Sequence, residues 1–182
     1  YGNGVVTAAT PAFVEIKGRF NQLMSKKRVA LLYGQAVDLD AYPAHLAHLA
    51  PEAQAVLEEV IYLHTTLHLQ PACVVTYQRL ALNGVEPYGD LRITFDTQLR
   101  GRTYDLNLLT AGADSGRYFI PPEFCIMEIK INRNVPYWLA TLVAQQRCVA
   151  RRISKYCLTL EQNAVISQRQ RLITATHATG TG

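Results

Sequence analysis

The chain has 182 residues, of which 49% are hydrophobic and 18% charged, with a formal net charge of +4. That composition describes one folded domain long enough to bury a proper core, and no apolar run approaches the length of a membrane span. The four cysteines, Cys73, Cys125, Cys148 and Cys157, show no close paired spacing. This argues against a disulfide or zinc framework and leads us to expect reduced, mostly buried thiols in a cytoplasmic protein. No basic-then-apolar leader is present, so no direct membrane insertion is expected.

Tyr1–Pro11 is small, Gly-rich and turn-like, without a start methionine. Ala12–Gly18 reads as a strand in which Phe13, Glu15 and Lys17 alternate with Val14 and Ile16. A turn through Asn21 leads to a second strand, Ser25–Leu32, with Lys26, Arg28 and Ala30 on one face. Gln35–Leu69 is helical territory. Pro51 and Glu52 open a clear amphipathic helix whose apolar side is Val56, Leu57, Val60, Ile61 and Leu63, and Pro71 closes it.

Strand-like runs resume at Cys73–Leu82, where Val75, Tyr77 and Arg79 alternate with Val74, Thr76 and Gln78. Asp90–Thr97 places Arg92, Thr94 and Asp96 on one face, and Leu99–Leu106 continues with Arg100, Arg102 and Tyr104. Phe124–Ile131 alternates Ile126, Glu128 and Lys130 against Cys125, Met127, Ile129 and Ile131. Pro136 suits the first turn of a helix carrying Trp138, Leu139, Leu142 and Val143. Arg151–Leu158 then reads as a last strand with Ile153 and Lys155 on one face. Residues 162–182 are expected to form a short helix to about Arg171 and then a disordered tail.

Seven strand-like segments therefore separate polar from apolar faces, as any antiparallel sheet with one wet face would do. The polar face is nevertheless dominated by cations: Lys17, Lys26, Arg28, Arg79, Arg92, Arg100, Arg102, Lys130 and Lys155. Two carboxylates, Glu15 and Glu128, each sit two residues before a lysine. Like charges gathered together repel, so a cation-rich face closed into a barrel suits a polyanion of phosphates. A carboxylate in such a lining could hold a divalent metal, which takes oxygen ligands and bridges phosphate oxygens. Asp96 is read as an arginine partner rather than a metal ligand, and Arg100 as rim. His64 and His68, four apart on a helix with no third ligand nearby, are read as structural or surface residues.

The chain resembles the VTC domain of polyphosphate polymerases, within the triphosphate tunnel metalloenzyme (CYTH-like) superfamily. The matching pieces are Phe-Val-Glu-Ile-Lys (13–17), Lys-Lys-Arg-Val-Ala-Leu (26–31), Tyr-Gln-Arg (77–79), Leu-Arg-Ile-Thr-Phe-Asp (91–96) with Leu-Arg-Gly-Arg (99–102), Met-Glu-Ile-Lys (127–130) with Val-Pro-Tyr-Trp-Leu (135–139), and Ser-Lys-Tyr (154–156). Each is short, and their shared order carries the match over residues 1–161. The resemblance implies an α+β fold: an antiparallel β-barrel, the triphosphate tunnel, with flanking helices. It implies transfer of the ATP γ-phosphoryl group onto inorganic polyphosphate with Mn²⁺ or Mg²⁺. Lys26, Arg28, Arg79, Arg92 and Lys155 would grip the reacting phosphates, Lys17, Arg102 and Lys130 would bind the chain, and Glu128 and Glu15 would ligate metal. Tyr1-Gly2 stands where the family's basic Leu-Arg-x-Arg-x-Tyr-Gly strand ends, so the N-terminal strands are expected to be missing. A triphosphate hydrolase and a non-catalytic polyphosphate-binding module are the alternatives. A nucleic-acid binder is disfavoured, because the cations lie inside alternating strands and no aromatic–basic stripe is visible.

Overall fold

The computed structural model describes residues 5–20, 23–38, 44, 48–109, 115–132 and 134–164. The chain folds as two compact units, Tyr1–Pro71 with Asn107–Gly112 and Ala72–Leu106 with Ala113–Gly182. Both are built from antiparallel sheet and helix, which makes the protein α+β.

The first unit is organised on a hairpin. Strands β1 (Pro11–Phe20) and β2 (Leu23–Leu32) pair without a break from Pro11↔Leu32 to Phe20↔Leu23. The turn expected through Asn21 lies outside the described residues. Strict alternation gives the hairpin two unlike faces. Val29 and Leu31 are buried on one of them, where Leu57 meets them with Val14, Val56, Val60 and Ile61 around it. Leu57 belongs to α2 (Pro51–Leu67), which follows a one-turn helix α1 (Tyr33–Val37). Pro51 pre-sets the first helical turn of α2, and Glu52 places a negative charge at its N-terminus. The helix stops at His68, which adopts the left-handed conformation, while Leu69 N–H bonds back to the His64 carbonyl at 3.2 Å. Lys27 of the hairpin reaches Glu59 of α2 at 2.6 Å. The rest of the helical territory read before Pro51 falls largely outside the described residues.

In the second unit β3 (Val74–Asn83) pairs with β4 (Arg92–Arg102), which is the central strand. The other edge of β4 takes two short strands, β5 (Arg117–Tyr118) and β6 (Ile126–Lys130). The two runs read as Asp90–Thr97 and Leu99–Leu106 are thus one strand. The β3–β4 connection closes tightly, with Gly84 N–H on the Leu91 carbonyl at 2.7 Å. A Cβ at Gly84 would stand 1.9 Å from the Tyr88 carbonyl oxygen, so only glycine fits there.

The chain then enters α3 (Tyr137–Gln145) immediately after Pro136, as the sequence implied. Leu139 is its buried residue, whereas Trp138 is half-exposed and meets Tyr88 edge-on at 5.8 Å between ring centroids. The last described element corrects the sequence reading. Residues 155–164 form a helix, α4, not a strand. Ser154 caps it, accepting the Cys157 N–H on its hydroxyl at 3.2 Å, and Leu158 N–H bonds the Ser154 carbonyl at 3.0 Å. The helix and tail read beyond residue 164 lie outside the described residues. The cysteines are free but not mostly buried: Cys125, Cys148 and Cys157 are exposed, and Cys73 is half-buried, with burial pushing its thiol pKa up. No helix among the described residues is long and apolar enough to cross a membrane.

Candidate functional site

Antiparallel partners present their side chains on the same side of a sheet, so the register assigns each charged residue to a face. On the hairpin of the first unit Glu15 stands opposite Arg28 and Lys17 opposite Lys26. These four share the face turned away from α2. Glu15 is held between the lysines, with Lys26 Nζ 2.6 Å from Oε1 and Lys17 Nζ 3.7 Å from Oε2. The hydrogen bond from Lys26 holds its carboxyl pKa below the ordinary value. Arg28 lies over the Phe13 ring, 4.7 Å from its centroid.

The second unit carries a denser constellation. Arg79 of β3 is the register partner of Asp96 on β4. On the other side of β4, Arg92 stands opposite Lys130 and Thr94 opposite Glu128, both on β6. Asp96 is 1% exposed, yet it is charged and fully engaged. Arg79 donates Nε to Oδ1 and Nη2 to Oδ2, each at 2.6 Å, and Lys155 Nζ approaches Oδ2 at 2.9 Å. Burial alone would raise the Asp96 pKa, but the bonds from Arg79 and Lys155 outweigh it and the net shift is downward. The same contact raises the already high pKa of Arg79. Both cations also flank Tyr77, Arg79 at 4.9 Å and Lys155 at 5.1 Å from the ring centroid.

Lys155 reaches this face from α4. One turn on, Thr159 is fully buried against Gly101, where an added Cβ would lie 2.3 Å from its hydroxyl oxygen. The absent side chain at Gly101 is therefore what lets α4 lie on β4 and bring Lys155 to Asp96.

A single shared face for all of the second unit's arginines is not what forms. Thr76 pairs with Arg100 but Gln78 with Thr97, so Tyr77 faces two residues, Gln98 and Leu99. Gln98 takes a positive φ of 52° to form this bulge. An extra residue reverses the parity of everything after it. Arg100 and Arg102 consequently occupy the face opposite Arg79, Arg92 and Asp96. Arg100 stacks on Tyr118 at 4.3 Å and bonds its hydroxyl at 2.6 Å. Arg102 is 1% exposed, with Nε on the Asp105 carbonyl at 2.8 Å and neither Nη atom bonded. No sequence signal announced the bulge, since Gln98 is not a residue type that marks one.

As to metal, no group of three or more His, Cys, Asp or Glu side chains comes together among the described residues. Glu128 is half-exposed, and Lys130 Nζ stands 3.2 Å from its Oε1. A hard divalent cation is commonly held by one or two carboxylates with substrate phosphates supplying further oxygens, and Glu128 is a half-exposed carboxylate on this face that could serve as one. His64 and His68 end α2 and take no part.

No curated protein and no solved structure matches the chain. The sequence model of the VTC domain matches residues 2–163 of the 182, a span that takes in both carboxylate–lysine strands, Asp96 and all but the last residue of α4. With nearly the whole chain matched and the cationic strand faces in place, the protein belongs to the VTC domain family, which is associated with polyphosphate metabolism.

Proposed function

We propose that the protein is a metal-dependent polyphosphate polymerase domain that transfers the ATP γ-phosphoryl group onto a polyphosphate end. One observation carries the reading: cations stand directly opposite cations in both sheets, Lys17 against Lys26 and Arg92 against Lys130. Directly opposed like charges destabilise a sheet by up to about 1 kcal/mol per pair; Glu15 and Glu128 offset part of that cost, and an anionic ligand bridging the cations would offset the rest.

The chemistry asks for little covalent help. The terminal phosphate oxygen of the acceptor attacks the γ-phosphorus, the bond to the ADP oxygen breaks, and charge spreads over the transferred group. In the second unit Arg79, Arg92 and Lys155 would hold phosphate oxygens with Lys130 beside them, and on the hairpin of the first unit Lys26 and Arg28 would do so with Lys17. Arginine suits this because its planar fork matches phosphate and keeps its charge. Glu128 in the second unit, and Glu15 in the first once its lysines turn to phosphate, are the carboxylates that would hold Mn²⁺ or Mg²⁺, each considered on its own face. The bound ion would neutralise phosphate charge during transfer. Arg102, buried on the opposite face of β4, is given no phosphate contact in this reading, in contrast to what the resemblance implied. The closed antiparallel tunnel that the resemblance implies belongs to the same proposal.

The test is incubation with γ-labelled ATP and Mn²⁺ or Mg²⁺, followed by gel separation. A ladder of labelled polymer is expected. Free phosphate without polymer would make the protein a triphosphate hydrolase instead, and tight polyphosphate binding without turnover a binding module.

A further inference from the structure

We infer that Asp96 is a positioning residue, which fixes Arg79 and Lys155 in one orientation so that their remaining donors are presented together to a phosphate chain. The inference rests on the phosphate-binding reading above and adds a residue to which that reading gives no part.

The geometry differs from that of an incidental ion pair. Asp96 is 1% exposed, whereas the Arg79 side chain is 34% and the Lys155 side chain 25% exposed. The carboxylate thus lies beneath two cations whose far sides reach solvent. Arg79 spends Nε and Nη2 on it, which leaves Nη1 and the outer hydrogen of Nη2 for a ligand. Lys155 shares Oδ2 with Arg79 Nη2, so the two cations are drawn to one atom despite their mutual repulsion. Tyr77 adds a second support, since both cations lie near its ring. The three charged residues come from β3, β4 and α4, and the carboxylate is what links Lys155 to Arg79.

Stability alone is a weak reason for such a cluster. Buried ion pairs seldom outperform well-packed apolar residues, and this cluster keeps one positive charge in excess. Long cationic side chains lose much rotamer freedom when a ligand fixes them, and holding them beforehand removes that cost from binding.

The direction of one substitution separates positioning from bulk charge. Asp96→Asn makes the site more positive, so attraction alone would tighten polyanion binding. Positioning makes the opposite demand: affinity should fall about tenfold, the loss expected when two such side chains are released. The measurement is titration calorimetry with inorganic tripolyphosphate on the wild type, Asp96→Asn, Arg79→Lys and the double variant, with thermal melts as a folding check. Arg79→Lys keeps its charge but cannot make the two-bond contact, so it should also weaken binding. The double variant should bind no worse than the weaker single variant, because both changes release the same clamp. Equal or tighter binding by Asp96→Asn, or losses that add in the double variant, would overturn the inference while leaving the phosphate reading intact. Should Asp96→Asn fail to fold, wild-type affinity in Arg79→Lys alone would overturn it. No binding of tripolyphosphate by the wild type would overturn both.

Discussion

Gly101 gives the sharpest structural test, because the position of α4 depends on a side chain that is not there. In Gly101→Ala the new methyl would lie 2.3 Å from Thr159 Oγ1, 2.4 Å from its Cγ2 and 2.9 Å from its Cβ. Ordinary contact between such atoms begins near 3.5 Å, so α4 must withdraw by roughly 1 Å. Thr159 is fully buried. Overpacking of this kind costs about 1–3 kcal/mol. In a protein of this size that lowers Tm by roughly 2–12 °C. The same withdrawal stretches the 2.9 Å contact between Lys155 and Asp96 beyond hydrogen-bonding range. Thermal denaturation followed by circular dichroism measures the first effect. A second variant isolates its cause: Thr159→Ala removes the two closest contacts, so Gly101→Ala/Thr159→Ala should regain much of the lost Tm. A single variant that melts with the wild type, or a double variant no better than the single, would refute the docking of α4 on β4.

Four further outcomes are expected. The depressed carboxyl pKa values of Asp96 and Glu15 add stability that is present above their unfolded values near pH 4 and is lost as pH falls through the folded values. Melting temperature should therefore hold from pH 7 to about 5 and drop below about 4, and Asp96→Asn should flatten part of that drop; an unaltered acid limb would count against the pairing. Lys130→Thr relieves the opposition to Arg92 at the loss of an exposed ion pair with Glu128, so the sheet should be no less stable in urea unfolding while polyphosphate binding weakens. If stability and binding fell together, the opposed cations would not be serving a ligand. Glu128→Gln should abolish metal-dependent turnover and largely keep phosphate binding, so full turnover in that variant would remove Glu128 from the metal site. Ser154→Ala should cost about 1 kcal/mol by uncapping α4, measurable as a lower urea midpoint with unchanged slope.

The face assignments that matter most were legible in the sequence because alternation over ten-residue strands leaves little ambiguity. Glu15 with Lys17, Lys26 with Arg28, and Glu128 with Lys130 all sit on the faces their spacing implies. Asp96 was also legible as an arginine partner, but its burial and its second cation were not, since Lys155 approaches from a helix far along the chain. That helix was misread for a local reason. Ile153 and Lys155 alternate over too short a run to exclude a helix, and the decisive signal was Ser154 as a cap ahead of Lys155, Thr159 and Asn163 at four-residue spacing. The bulge at Gln98 had no such signal. Its positive φ is imposed by the pairing of β3 with β4, so Arg100 and Arg102 could not be placed on the opposite face from sequence alone.

Whether these opposed cations serve a chain of phosphates is tested most directly by melting the protein with and without linear polyphosphate, using sulfate at equal total charge as the control. At a hundredfold excess over Kd a ligand of the folded state adds about 2.7 kcal/mol. Tm should then rise by roughly 5–11 °C with polyphosphate, fall back as salt is added, and move little with sulfate. An equal rise with sulfate, or none with polyphosphate, would contradict the proposed role of the two cationic faces.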